Sequence, residues 1–299
     1  MQETSKPSGH PKGLYILFAT EMWERFNFYG MRSVLTLFMV NALFFHNNII
    51  ATVFGKDAQV KDVTSSLYGG YLSLVYLSPL LGGFIADRYW GNRRSIITGG
   101  IVMAIGEGVL FCCGSLYNSS PHVAVFLFFT GLGLMITGNG FFKPNISSLV
   151  GQLYTKHDNR KDAAYTIFYM GINTGGAIGP LICGLVGDTN NPADFRWAFL
   201  VGGIGMLISV LVQLLFQHKY VVNPEKKQLG TIPENTPKGM LSVPLTIIGL
   251  AFLGVFFTGL LFFDAKYNFL FYLLSACFVL VPVVIFFDKT LTKMEKDKV

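Results

Sequence analysis

Charge is what this chain has least of. Of its 299 residues only 13% are Asp, Glu, Lys or Arg, against about 25% in soluble proteins, while 52% are hydrophobic and 28 are Phe. That shortage excludes an ordinary soluble fold and indicates a polytopic membrane protein. Histidine is scarce too: His10, His46, His122, His157 and His218 all fall in loops or at the ends of apolar runs. The chain has no His-Glu-x-x-His and no Gly-x-Ser-x-Gly, so neither enzymatic activity nor a metal site is expected. The four cysteines, Cys112, Cys113, Cys183 and Cys277, sit in apolar runs without disulfide or ligand spacing and read as small packing residues. A small-residue cleavage site is missing as well, so the first hydrophobic segment is expected to be retained.

Long apolar runs fill the rest. Windows of about 20 residues place membrane spans at 14–45, 63–87, 93–117, 122–151, 164–187, 196–218, 242–263 and 268–288. Eight spans put both termini on one side of the bilayer. Sixteen Lys and Arg fall on that side and four, Lys56, Lys61, Arg196 and Lys266, on the other, which makes the basic side cytoplasmic. The net charge of +6 then describes a skin facing anionic lipid, and nucleic acid is not an expected partner. The organisation read from this is a six-helix unit over 1–218, a cytoplasmic linker over 219–241 carrying Pro224, Pro233 and Pro237 among charges, and two further helices with a basic tail over 242–299. Those last two helices are Phe-rich and poor in polar groups, and read as a lipid-facing hairpin with Asp264 and Lys266 in its outer turn.

Four charges break the first span: Glu21, Glu24, Arg25 and Arg32. On insertion scales each charge at a helix centre costs about 2.5–3.5 kcal/mol, so four cost on the order of 10 kcal/mol unless they face partners or water. At 100° per residue, positions 21, 24, 25, 28 and 32 share one stripe with Tyr29 at its edge, and Glu21 reaches Arg25 at i,i+4. The stripe is a set of proton-binding carboxylates interleaved with permanent cations, turned away from lipid. Lys143, deep in the fourth span before Pro144, is a third intramembrane cation. Glu107, between Gly106 and Gly108 in the third span, reads equally as a second proton site or as a packing residue hydrogen-bonded to a neighbour.

The pattern Pro-x3-Gly-x3-Asp occurs twice, at Pro79, Gly83 and Asp87 and again at Pro180, Gly184 and Asp188. One copy ends the second span and the other the fifth, and these run in opposite directions. Two three-helix units related by an in-plane pseudo-twofold are therefore expected, with any substrate site at their interface.

The segment Gly82-Gly83-Phe84-Ile85-Ala86-Asp87-Arg88-Tyr89-Trp90-Gly91-Asn92-Arg93-Arg94 resembles the cytoplasmic loop motif of the major facilitator superfamily. Glu21-x-x-Glu24-Arg25-Phe26-x-Phe28-Tyr29-Gly30 is similar to the first-helix signature of one of its branches, the proton-dependent oligopeptide transporters (POT family). Gly138 to Ser147 and Phe168 to Gly175 agree with two further segments of that family, in family order. The fold class the resemblance implies is an all-α membrane protein: a major-facilitator N-terminal six-helix bundle (3+3 inverted repeat) plus a two-helix hairpin. The family's second six helices have no counterpart before Val299, which suggests a fragment or the first part of a split protein, whose partner would be the missing C-terminal half.

Roles follow by resemblance. Proton coupling falls to Glu21, Glu24, Arg25 and Lys143, with protons as the coupling ion and no other cofactor. Arg25, Tyr29, Arg32, Tyr76, Lys143, Tyr169 and Asn173 are candidates to hold a di- or tripeptide, whose carboxylate needs cations and whose backbone needs groups that donate and accept. Asp87, Arg88, Arg93 and Arg94 would form an Asp–Arg latch across a Gly turn. Glu21 and Glu24 are expected to pair with Arg25 and Lys143 until protonation frees the cations. The chain departs from the family at Phe28, where a Tyr pair is usual, and at Gly69, where some members have His. Tyr76 and Tyr169 read equally as core or interfacial aromatics. A non-transporting peptide-binding subunit and a carrier of another small anion such as nitrate stay open, and a membrane-embedded enzyme is the remoter alternative.

Overall fold

The computed structural model describes residues 9–45, 48–155, 157–234, 236–237, 239, 242–267, 269–270, 272, 275–276 and 280. Among them eight α-helices run in chain order: α1 (Lys12–Phe38), α2 (Asn48–Phe54), α3 (Val60–Ile85), α4 (Gly91–Leu116), α5 (Pro121–Gln152), α6 (Arg160–Gly187), α7 (Phe195–Tyr220) and α8 (Val243–Tyr267). Seven of the eight expected spans are therefore present as α1 and α3 to α8; the eighth, 268–288, lies largely outside the described residues. The first span ends earlier than hydropathy suggested, because α1 passes at Phe38 into a π-turn over Met39–Leu43. The short helix α2 falls in the expected loop His46–Asp62, where Ile49, Ile50 and Phe54 are buried in the core. α8 is the peripheral element expected of it: 17% of its most apolar window is buried, against 72% for α5.

Three of these helices carry an internal proline, Pro79 in α3, Pro144 in α5 and Pro180 in α6. A proline removes one helical hydrogen bond, which in a membrane is tolerable where a packed neighbour covers the freed carbonyl. Pro144 frees the carbonyl of Gly140, and Gly82 of α3 packs directly on that oxygen.

The expected repeat is visible in the packing. α3 lies on α5 as α6 lies on α1, and α4 on α5 as α7 on α1, while α4 and α7 meet each other. The match extends to single residues. Gly140 of α5 sits against Ser78 and Gly82, which flank Pro79; Gly30 of α1 sits against Gly179 and Cys183, which flank Pro180 at the same offsets. A methyl at Gly30 would come within 2.6 Å of Cys183 Sγ, and one at Gly140 within 2.9 Å of the Ser78 carbonyl oxygen. Both positions are glycine because two backbones cross there.

Polar side chains line the seam between α1 and α7. Thr20 donates to Gln213 Oε1 at 3.2 Å, Ser209 donates to the Thr20 carbonyl at 2.6 Å, and Gln213 donates to Gln217 at 3.5 Å. After α3 a π-turn, Ala86–Trp90, leads into Gly91, whose φ of 71° and ψ of 156° a side chain would strain. Past α7, the linker folds back through an antiparallel bridge between Val222 and Gln228. Asp264, expected in an outer turn, instead lies in the last turn of α8. It is buried against Gly70 of α3 and accepts the Leu270 N–H at 2.6 Å.

Outside the spans, the α5–α6 connection is tied by Arg160, which donates to both carboxylate oxygens of Asp158 and holds that carboxyl down at about 2. Tyr154 nearby bonds to His10 Nδ1 at 2.8 Å, and burial pushes its phenol up to about 12.

Candidate functional site

α1 places its charges where the 3.6-residue period requires, and most of them are buried. Glu21 is 3% exposed, Glu24 0% and Arg25 3%. Arg25 Nε donates to Glu21 Oε1 at 2.9 Å and to Glu24 Oε2 at 2.5 Å, so one N–H serves two carboxylates. Asn139 of α5 adds a long bond of 3.5 Å from Nδ2 to the other oxygen of Glu24. Phe28 and Tyr29 stack on the guanidinium, with ring centroids 5.2 and 5.9 Å from Cζ. Three atoms of the cluster have no partner among the described residues: Arg25 Nη2, Glu21 Oε2 and Asn139 Oδ1. The guanidinium is thus desolvated and aromatic-clamped, yet keeps an unused N–H edge, the part that reads a carboxylate.

The second cation behaves differently from expectation. Lys143 makes no ion pair with Glu21 or Glu24 among the described residues; its Nζ lies over the ring of Tyr76, 4.7 Å from the centroid. It is still close enough for both carboxylates to act on it electrostatically. The reason is competition: Arg25, on the same helix as both acids, takes their oxygens at i+4 and i+1. Arg32, two turns beyond Arg25, donates from Nε to Tyr68 Oη at 2.5 Å and lies over that ring. Tyr76 and Tyr169 are 61% and 59% exposed, and Asn173, also exposed, has no hydrogen bond among the described residues. The structure therefore gathers Glu21, Glu24, Arg25 and Tyr29, with Lys143 and Tyr76 as a neighbouring pair, and leaves Tyr169 and Asn173 on an open face of α6.

The expected latch is not an Asp–Arg pair here. Asp87 and Arg88 are exposed, and Asp87 has no ion pair among the described residues. Arg93 is buried and donates to the carbonyls of Gln217 and Val221 at 3.0 and 2.7 Å and to Gln228 Oε1 at 2.8 Å, binding α4 to the end of α7 and the linker. Arg94 stacks on Trp90 and donates to Thr246 of α8. The two terminal nitrogens of this buried guanidinium are taken by three carbonyl-type acceptors, and only Nε is left without a partner among the described residues, so Arg93 is held at α7 and the linker and does not pair with Asp87.

Three contributors were not singled out from the sequence. Asn139 sat inside a recognised segment, flanked by glycines, but nothing marked it as reaching α1. Tyr68 lies 36 residues from Arg32, beyond any local spacing rule. Asn27, outside the charged stripe, donates to Glu107 Oε1 at 2.7 Å, the neighbour contact that the packing reading of Glu107 expects.

Helices that cross a membrane, arranged as an inverted repeat around a desolvated acid–base cluster, define a carrier-type membrane bundle. The POT family model matches residues 93–233. The "Di-/tripeptide transporter" of Lactococcus lactis subsp. cremoris is 37% identical over 97% of this chain and 55% of its own length. The "Uncharacterized transporter YclF" of Bacillus subtilis (strain 168) is 34% identical over 97% and 54%. Among solved structures, a POT family transporter in complex with 5-aminolevulinic acid superposes with a TM-score of 0.69 at 31% identity, covering 97% of this chain and 56% of that one. The chain belongs to the POT family and is a multi-pass membrane protein; it spans about half the length of the relatives it matches.

Proposed function

We propose that this chain supplies the N-terminal half of a proton-coupled symporter that takes up di- and tripeptides across the cytoplasmic membrane by alternating access. Both termini would face the cytoplasm, as the Lys and Arg distribution requires. The observation that carries the reading is Arg25 held by Glu21 and Glu24 through Nε alone, with Nη2 left over.

Two carboxylates sharing one cation have one negative charge to spare, so this is where a proton binds with least opposition. A proton arriving on the pair weakens its hold on Arg25, whose guanidinium then turns its free edge to the peptide carboxylate. Lys143, already detached from the acids and resting on Tyr76, offers a second positive charge to the same group. Because the acids share Arg25, the proton belongs to the pair and not to one Glu. Tyr29 and Arg32 with Tyr68 extend a wall of hydroxyls and cations suited to a peptide backbone, and Tyr169 and Asn173 add an open polar face. Asp87 and Arg88 would close a cytoplasmic latch in another state of the cycle.

The test is dipeptide accumulation in proteoliposomes of the transporter completed with its second half, under an inward proton gradient. Glu21→Gln and Glu24→Gln are each expected to abolish gradient-driven accumulation while leaving exchange of dipeptide without a gradient. Full accumulation in both variants overturns the assignment. Dipeptide binding without flux in the unmutated protein favours a non-transporting subunit, and nitrate uptake without peptide uptake a small-anion carrier.

A further inference from the structure

A second buried acid meets α1 at Asn27, three residues beyond Glu24. Glu107 of α4 and Asn27 of α1 are both 0% exposed. One hydrogen bond joins them, Asn27 Nδ2 to Glu107 Oε1 at 2.7 Å. The remaining oxygen of each, Glu107 Oε2 and Asn27 Oδ1, is buried without a partner among the described residues. Glu107 also has no ion pair among them, in contrast to the two acids of α1. α7 closes over the pair with glycine: a methyl at Gly202 would lie 3.3 Å from Asn27 Nδ2 and 3.4 Å from Glu107 Oε1, and one at Gly203 would lie 3.1 Å from Glu107 Cβ. The ionisable groups that sense Glu107 are Tyr71 of α3 and Cys183 of α6, and Tyr71 also senses Glu24, Arg25 and Arg32 of α1.

Two orphan acceptors on one bonded pair have a simple chemical resolution. A carboxylate has no donor, so an ionised Glu107 would leave Oε2 and Asn27 Oδ1 both unsatisfied and a full charge without a cation, in an apolar core. One proton on Oε2 turns that acceptor into a donor. The acid O–H then bonds to Asn27 Oδ1 while the amide N–H keeps its bond to Oε1, closing a two-bond ring of the kind carboxylic acids and primary amides form with each other.

We propose that Glu107 is held as the neutral acid in a paired ring with Asn27, a fixed lock between α1 and α4 that takes no part in proton transfer. Its role is positioning. Asn27 lies two residues from Arg25 and three from Glu24, so the ring sets the rotation of α1 and with it the direction in which Glu21, Glu24 and Arg25 face. The effect on transport rests on the function proposed above, but the lock itself does not.

The experiment uses the 299-residue chain in detergent and reads two quantities that need no transport. In the infrared difference between the unmutated chain and Glu107→Gln, the carbonyl band of a protonated carboxylic acid is expected in the unmutated chain and is expected to persist unchanged from about pH 6 to pH 8.5, well above the ordinary carboxylate range. The thermal midpoint of Glu107→Gln should match the unmutated chain, because a glutamine N–H replaces the acid O–H and keeps both bonds. Glu107→Ala, which removes both, should melt several degrees lower. In the completed transporter, Glu107→Gln should accumulate dipeptide within twofold of the unmutated protein. Absence of the acid band, a band that titrates in that pH range, or Glu107→Gln melting as low as Glu107→Ala would overturn the proposal. If Glu107→Ala does not fold, the band and the glutamine variant still decide it. Loss of peptide accumulation in every form of the protein would count against the transport reading and leave the lock standing.

Discussion

α1 meets buried acids at two sites, its own Glu21 and Glu24 at one and Glu107 of α4 at the other, and the two are built to opposite ends. Glu21 and Glu24 share a cation whose remaining N–H has no partner among the described residues; Glu107, reached through Asn27, meets an amide under a roof of glycine. Both sites are buried, so burial does not distinguish a coupling group from a packing group. The cation does. An acid beside a permanent positive charge can exist in either protonation state, and its proton can be exchanged for another ligand of that charge. An acid beside an amide has one comfortable state.

The largest expected effect breaks the first site outright. Arg25→Met strands two buried carboxylates, and loss of one partner from a buried ion pair typically costs about 3–5 kcal/mol. Proteoliposome uptake should vanish, and the detergent melting midpoint should fall further than in Asn27→Ala, Gly30→Ala or Gly140→Ala. Asn27→Ala tests the second site on the same scale and should cost less, about 1–3 kcal/mol, because it strands a neutral group. An equal loss in the two variants would erase the distinction between the sites.

Next in size, Gly30→Ala and Gly140→Ala probe the repeat that carries both. Each forces a methyl into a backbone crossing, with an expected cost of about 1–3 kcal/mol from overpacking. Similar falls in melting midpoint would fit their equivalence; a large effect at one with none at the other would refute it. A smaller effect is expected at Tyr76. Tyr76→Phe should leave dipeptide affinity nearly unchanged, whereas Tyr76→Leu should remove the cation–π contact with Lys143, worth about 0.5–1 kcal/mol, read as a few-fold change in dipeptide KM.

The smallest effect lies outside the membrane. The Asp158 carboxyl is held low by Arg160, so its contribution is present above the ordinary carboxylate range and disappears as pH falls toward about 2. Being solvent-facing, it should be almost silent: Asp158→Asn should leave the melting midpoint unchanged between about pH 5 and 8.

Much of this architecture is legible in the sequence because lipid allows few solutions. A run of about 20 apolar residues is expected to cross as a helix, and seven of the runs read from the sequence are helical among the described residues. The charges of α1 announce a site because they are costly anywhere else. α2 was not legible, since seven residues fall below any crossing length and its burial depends on partners far along the chain. The Arg93 tie was misread for a related reason. A Gly turn flanked by Asp and Arg suggests a local pair, but the acceptors that win are carbonyls 124 and 128 residues on. Asn27 and Tyr68 were missed because spacing rules see one helix at a time, and both act between helices.

Arg93 also changes how the bend after α3 should be viewed. Gly91, in a backbone conformation few other residues tolerate, stands two positions before a side chain that grips the last turn of α7 and the segment beyond it. The exit from the sixth crossing is thereby geared to the corner between the second and third. A pull on the polypeptide past Val221 would be felt there before it reached the bundle's interior, so a rocking movement could pass from one end of the chain to the other without a hinge of its own.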